Sequence, residues 1–243
     1  MTNVLASQAV LFDLDGVLTD TAAVHRRAWS VLFTEFLPTV APDAAPYTDA
    51  DYFALVDGKA RSAGVRSVLA SRGVSVPDGS ADDPPDAQTV HGLGNRKNVR
   101  FTDIIRGDGV EVFEGSLRVV DLLGAAGIPM AVVSSSRNAV LVLETARLLD
   151  RFQVVVDGVT AERDQLAGKP APDMFLTAAK ELGVEPARTV VIEDAVSGVE
   201  AGHRGGFWVV GVDRGTGVAA LIEAGANEVV TDLANLLEGD SSR

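Results

Sequence analysis

The run Val10-Leu11-Phe12-Asp13-Leu14-Asp15-Gly16 constrains this chain more than any other stretch. Three apolar residues lead straight into two carboxylates and a glycine. A short continuous apolar run bounded by turn residues reads as a strand buried on both faces. Strands of that kind belong to parallel sheets covered by helices. Asp13 and Asp15 then fall at the carboxyl end of the strand, the edge at which open parallel sheets bind ligands. Two carboxylates so close repel each other, so a proton or a cation must be shared between them. Mg²⁺ together with a phosphate suits such an all-oxygen pair. A lone D-x-D is equally compatible with a solvated acidic turn, because so short a motif matches by chance. The rest of the chain bears on that choice.

Of the 243 residues, 47% are apolar, enough for one large domain or two modest ones with a real core. The net charge of −13 argues against general binding to nucleic acid or an anionic membrane, which needs a basic surface. Cysteine is absent, which excludes disulfides, thiolate metal sites and a cysteine nucleophile. The N-terminus lacks a basic segment, and Asp13 and Asp15 interrupt its apolar run, so it does not read as a signal peptide. No stretch approaches the ~18 uninterrupted apolar residues of a membrane span. A cytoplasmic monomer is the expectation, since no long apolar stripe is left over for an interface.

After Gly16 the pattern changes to helical spacing. Helices are expected over 21–37, around Tyr52–Val56 up to Asp57-Gly58, around Val65–Leu69, and over 90–106. Residues 74–89 are rich in Asp, Pro, Ser and Gly and read as an exposed loop. From Val110 onward, strands and helices alternate. Strands are expected at Ile128–Val133, Phe152–Val156, Thr189–Ile192, Phe207–Val212 and Glu228–Val230, with helices at 115–126, 138–149, 172–182, 196–204 and 216–224. Such alternation predicts an α/β fold, a doubly wound parallel sheet with helices on both faces. Residues 1–19 and 107–243 would form this core, and residues 20–106 an inserted α-helical cap. The cap leaves the sheet just after the acidic pair, where a lid would be placed. Gly239 to Arg243 are polar and expected to fray.

Strand ends now bring polar residues to one edge: Asp13 and Asp15, Ser134, Asp157, and Glu193 with Asp194. Two acidic pairs on two strands form an uncompensated negative cluster unless a divalent cation sits among them. Lys169, in Gly168-Lys169-Pro170-Ala171-Pro172-Asp173, just precedes a helix that the prolines help to start. A loop lysine is ordinarily solvated. Beside a phosphate and these carboxylates its charge has a use.

These motifs, in this order, are identified as those of the haloacid dehalogenase superfamily. The match is Asp13-Leu14-Asp15-Gly16-Val17, then Ser134, Lys169 and Glu193-Asp194, and it spans essentially the whole chain. Within the superfamily the chain is similar to the β-phosphoglucomutases. The resemblance implies a Rossmann-like core, Mg²⁺ as cofactor and a small-molecule sugar phosphate as substrate. It implies Asp13 as nucleophile, forming an aspartyl phosphate, and Asp15 as general acid and base. Mg²⁺ would be held by Asp13, the Asp15 carbonyl and Asp194, with Glu193 as a further ligand. Ser134 and Lys169 would bind the transferring phosphoryl oxygens, assisted by Asn138.

The resemblance extends into the cap. Asp57-Gly58-Lys59-Ala60-Arg61 is similar to the family's substrate loop, with Gly58 in its turn and Arg61 holding the substrate's second phosphate. Arg96-Lys97-Asn98 is similar to the second cap element, with Lys97 directed at the sugar. His25 reads either as a packing residue or as a coupling between cap closure and Asp15. By composition alone Arg61 and Lys97 would read as a solvated helix face. The implied reaction interconverts β-glucose 1-phosphate and glucose 6-phosphate through glucose 1,6-bisphosphate. A sugar-phosphate phosphatase is the alternative, because it would need the same core motifs. A non-catalytic phosphate-binding module is disfavoured by the intact Asp13 and Asp15. The longer, more acidic 74–89 segment and Lys59 depart from the family pattern.

Overall fold

Ala9-Val10-Leu11-Phe12 is a strand whose side chains are all buried, as packing on both faces requires. Burying the Val10, Leu11 and Phe12 side chains contributes roughly 1.5–3 kcal/mol each. The computed structural model describes residues 4–237, so the tail expected to fray at 239–243 lies outside the described residues.

In chain order, β1 (Ala9–Phe12) is followed by α1 (Thr21–Val40) and a one-turn α2 (Asp49–Asp51) that runs into a π-helical turn, Tyr52–Val56. Next come α3 (Arg61–Ser71), α4 (Val90–Asp108), α5 (Glu114–Ala125) and β2 (Met130–Val133). They are followed by α6 (Ala139–Thr145), β3 (Val154–Val156), α7 (Gly158–Arg163) and α8 (Asp173–Leu182). Finally β4 (Thr189–Glu193), α9 (Val196–Arg204), β5 (Trp208–Val212), α10 (Val218–Glu223) and β6 (Glu228–Val230) alternate. No helix among the described residues is long and apolar enough to cross a membrane.

The chain divides into two units, Met1–Asp20 with Val110–Arg243, and Thr21–Gly109. The later of the two expected boundaries, after residue 106, moves because α4 continues to Asp108, where Gly109 at φ +81° stops it.

The first unit is a six-stranded sheet of order β3-β2-β1-β4-β5-β6, parallel throughout. Strand order reverses at β1, which pairs with β2 on one side and β4 on the other. The carboxyl ends of these three adjacent strands therefore present Asp13 and Asp15, Ser134, and Glu193 with Asp194 at one topological switch point. One face of the sheet is packed by α8 and α9 through Met174, Phe175, Ala178, Val199 and Ala201.

The second unit is helical and has its own core, in which Trp29, Phe33 and Phe36 of α1 meet Tyr47, Tyr52, Val65, Val68 and Leu93. Trp29 and Phe33 stack with centroids 5.5 Å apart.

Three local readings change. The helix expected over 138–149 ends at Thr145, and Arg147 just beyond it takes φ +58°. Helix α7 was not expected, because Gly158-Val159-Thr160 carries little apolar periodicity. Its start is set by Asp157, whose Oδ1 accepts from the Val159 and Thr160 amides at 3.0 and 2.8 Å. Asp157 is thus a helix cap, and its place at a strand end reflects that work.

Candidate active site

Asp13 leaves β1 with its amide donating to Ile192 O of β4 at 2.9 Å, which continues the sheet pairing one residue past the strand. Its carboxylate is buried and accepts from Lys169 Nζ at 2.5 Å. The same ammonium, on a wholly buried side chain, donates to Glu193 Oε1 at 2.5 Å and to Val133 O at 3.0 Å. The other Glu193 oxygen accepts the Asp194 and Ala195 amides at 2.9 and 3.0 Å. Glu193 is therefore tied to Lys169 and to the turn after β4. One oxygen from each of Asp13, Glu193 and Asp194 lies within 4.8 Å of the others.

Burial pushes the Asp13 carboxyl well above the usual carboxylate range. Lys169 opposes this, while Glu193 and Asp15 add to it. For Lys169 burial acts against the ammonium, but the Asp13 and Glu193 carboxylates outweigh it and hold the group above the ordinary lysine range. One ammonium thus faces a cluster of carboxylates, which remains short of positive charge.

Two glycines make room for these oxygens. A Cβ on Gly16, which has φ +93°, would stand 1.9 Å from Asp194 Oδ2. A Cβ on Gly198 would stand 1.7 Å from Glu193 Oε1. Closely set oxygen donors, a charge deficit and a backbone hollowed around the carboxylates together fit a hard divalent cation such as Mg²⁺.

Ser134 follows β2, and its amide donates to Val156 O at 3.0 Å. Its buried hydroxyl accepts from the Ser136 amide at 3.1 Å and lies 3.4 Å from Asp15 Oδ2. Asn138 stands at the start of α6, its amide donating to Ser136 Oγ at 3.2 Å. The structure thus gathers Asp13, Asp15, Ser134, Lys169, Glu193 and Asp194 at the switch point of the first unit.

The remaining expected residues lie in the second unit. Gly58, at φ +68°, turns the chain between the π-helical turn and α3. Arg61 opens α3, and its guanidinium donates to Asn95 Oδ1 at 3.0 Å and to Asn98 Oδ1 at 2.7 Å on α4. Asn95 in turn donates its amide hydrogens to Ala81 O and Asp83 O at 3.0 and 2.8 Å. That fixes which end of the amide faces the arginine. Gly94 clears the way, since a Cβ there would be 2.8 Å from Arg61 Cδ. Lys97 is 2% exposed, contacts His25 Nδ1, and lies 4.6 Å from the Phe101 ring centroid and 5.3 Å from that of Trp29. The His25 ring packs on Phe101 with centroids 4.0 Å apart. The solvated-face alternative is therefore excluded for Lys97, and Arg61 is half-buried.

The 74–89 segment is anchored more firmly than its composition suggests. Arg96 donates to Pro85 O and Asp86 O, and the Val90 and His91 amides donate to Pro77 O and Asp78 O. Thr89 caps α4 by accepting from the Gly92 amide at 2.9 Å. Lys59, the departure noted in the substrate loop, reaches Ser67 Oγ at 3.5 Å. Sequence reasoning missed Gly198, Asn95 and Arg214. Gly198 had one available signal, its place in the first turn of a helix just after an acidic pair. Asn95 and Arg214 had none, because the carbonyls that each donates to are distant in sequence.

A family model for haloacid dehalogenase-like hydrolases matches residues 8–206. The chain belongs to that family. It is 53% identical over 241 residues to a β-phosphoglucomutase of Mycobacterium bovis, covering 95% of this chain and 91% of that protein. A β-phosphoglucomutase of Bacillus subtilis is 34% identical over 209 residues, covering 86% and 84%. Among solved structures, β-phosphoglucomutase from Clostridium difficile superimposes with a TM-score of 0.75 at 25% identity, covering 95% of this chain and 93% of that one. The chain is thus an enzyme, and its relatives group it with the phosphomutases of the haloacid dehalogenase fold.

Proposed function

We propose that this enzyme interconverts β-D-glucose 1-phosphate and glucose 6-phosphate, using Mg²⁺ and acting as a cytoplasmic monomer. The observation that carries the phosphoryl-transfer reading is the setting of Asp13. It is a buried carboxylate held by Lys169 at 2.5 Å and flanked by further carboxylates. Full-length similarity to the M. bovis β-phosphoglucomutase supports the choice of reaction.

Asp13 carries the phosphoryl group as an aspartyl phosphate. Asp15 takes the proton from the sugar 6-hydroxyl as that oxygen attacks phosphorus and the Asp13–phosphorus bond breaks. The resulting glucose 1,6-bisphosphate reorients. Asp13 then attacks the 1-phosphate, the bond from phosphorus to the C1 oxygen breaks, and Asp15 returns the proton to that oxygen. Ser134, Asn138 and Lys169 bind the oxygens of the transferring group. Arg61 takes the phosphate that is not being transferred, as a planar fork suited to it, and Lys97 and His25 line the sugar side with Gly58. Asp13, Asp194 and the Asp15 carbonyl would hold Mg²⁺; Glu193, with both oxygens engaged, is a weaker ligand. Bound there, the cation neutralises charge on the phosphoryl oxygens.

The family's description as hydrolases favours one other reading, a sugar-phosphate phosphatase in which water attacks the aspartyl phosphate. A phosphorus NMR time course with β-glucose 1-phosphate, Mg²⁺ and a trace of glucose 1,6-bisphosphate separates the two. A growing glucose 6-phosphate signal without inorganic phosphate is expected. Steady release of inorganic phosphate instead would replace the mutase with the phosphatase.

A further inference from the structure

Arg214 lies just beyond β5, outside the motifs that identify the family. Its Nε donates to Gly16 O at 2.9 Å and its Nη1 to Thr231 O at 3.0 Å. Its guanidinium carbon sits 3.8 Å from the Phe113 ring centroid. Gly16 and Phe113 belong to the two segments on which the first unit breaks off and resumes. Phe113 N donates to Leu18 O at 3.1 Å, and Thr19 bridges to Val112. Arg214 therefore ties the acidic turn after β1 and the returning segment to the β5 end.

The turn that carries Arg214 also reaches the second acidic pair. Asp213 Oδ1 accepts from the Gly215 and Gly217 amides at 2.9 and 3.0 Å, which braces the turn from inside. Thr216 Oγ1 donates to Asp194 O at 3.3 Å. Gly16 is the residue whose missing Cβ leaves space for Asp194 Oδ2. One braced turn thus grips both walls of the acidic site, Gly16 through its carbonyl and Asp194 through its own. The Nη2 of Arg214 is buried and has no hydrogen-bond partner, a cost the fold carries while the other two donors and the ring contact are kept. A lysine has neither the planar face for Phe113 nor the fork for two carbonyls.

We propose that Arg214 is a positioning residue of the acidic site, holding the Asp13–Asp15 turn in register with Asp194 through the Gly16 carbonyl. This rests on the reading of Asp13 and Asp194 as Mg²⁺ ligands. The sign of the effect on Mg²⁺ affinity distinguishes positioning from charge. If Arg214 acted only as a nearby positive charge, removing it would tighten cation binding. As a positioning residue, its removal must weaken it.

The test is isothermal titration of Mg²⁺ into the metal-free full-length protein, run beside steady-state kinetics. Arg214→Met is expected to weaken Mg²⁺ binding about tenfold and to lower kcat with little change in KM. Arg214→Lys should recover only part of either loss. Phe113→Leu, which leaves both hydrogen bonds in place, should weaken Mg²⁺ binding in the same direction by a few-fold, and it carries the test if Arg214→Met fails to fold. Mg²⁺ affinity equal to or tighter than native in the folded variants would overturn the proposal. Failure of the native protein to bind Mg²⁺ would overturn the metal reading itself, and this one with it.

Discussion

A methyl group on Gly198 would stand 1.7 Å from Glu193 Oε1, and that oxygen has nowhere to go. Glu193 is fully buried, with Lys169 on one oxygen and two amides on the other. Gly198→Ala should therefore displace the Glu193 carboxylate and unseat Lys169 from Asp13. Breaking a buried ion pair in this way costs about 3–5 kcal/mol. Urea denaturation should show a loss of that order, and turnover should fall at least about a hundredfold, the scale on which loss of a positioned charge stabiliser is felt. A variant with native stability and rate would show that Glu193 can relax without consequence. At this scale the sequence was informative where polar residues sit beside a recognisable strand end, as with Asp13 and Asp194. It placed Asp157 at the same edge without its capping role, because a capping aspartate and a reactive one look alike before the helix behind it is known.

Elements were legible wherever an apolar period persisted. The six strands were expected close to their observed places because each is a short apolar run ended by a polar or glycine residue. The helix expected around Tyr52–Val56 is a π-helical turn, and the one-turn α2 before it was not expected, since so few residues cannot display a period. The start of α2 is held by polar contacts instead. Asp51 accepts from the Thr48 amide at 2.8 Å, the Thr48 hydroxyl at 2.9 Å and Arg72 Nη2 at 2.7 Å. Partial burial disfavours the charged carboxyl, but the bonds from Arg72 and Thr48 outweigh it and hold Asp51 below the usual carboxylate range. The folded state thus prefers the ionised form. This stabilisation is present above the unfolded-state value, roughly 3.9, and is lost as pH falls toward the lower folded value. Asp51→Asn should cost about 1–2 kcal/mol near neutrality. Melting curves of both proteins should converge as the pH is lowered below about 3.9. A difference that stayed constant with pH would mean the charge of Asp51 is not what matters.

For the molecule as a whole, the split into a sheet and an insertion was readable because strand patterns vanish between 20 and 106 and return afterwards. Each unit has its own apolar core, and among the described residues the cluster around Trp29, Phe33 and Val68 is drawn from Thr21–Gly109. Residues 21–109 expressed alone should therefore show helical circular dichroism and a cooperative thermal transition. A non-cooperative melt would mean that this core depends on the rest of the chain. What the sequence hid was the segment at 74–89, whose polar composition reads as loose loop. The structure holds it by its main chain, through the carbonyls of Pro77, Asp78, Ala81, Asp83, Pro85 and Asp86. Carbonyl oxygens are the same whatever side chain they accompany. Some letters of this stretch are fixed: Val74 and Val76 pack on the helical core, Gly79 takes φ +75°, Ser80 accepts from the Asp82 amide, Asp78 and Asp83 bind Arg66 and Thr89, and Thr89 caps α4. At the other positions the spelling can drift while the path stays fixed. Selection thus has a place to rewrite the surroundings of Asn95 and Arg61 one letter at a time, without first dismantling what holds them.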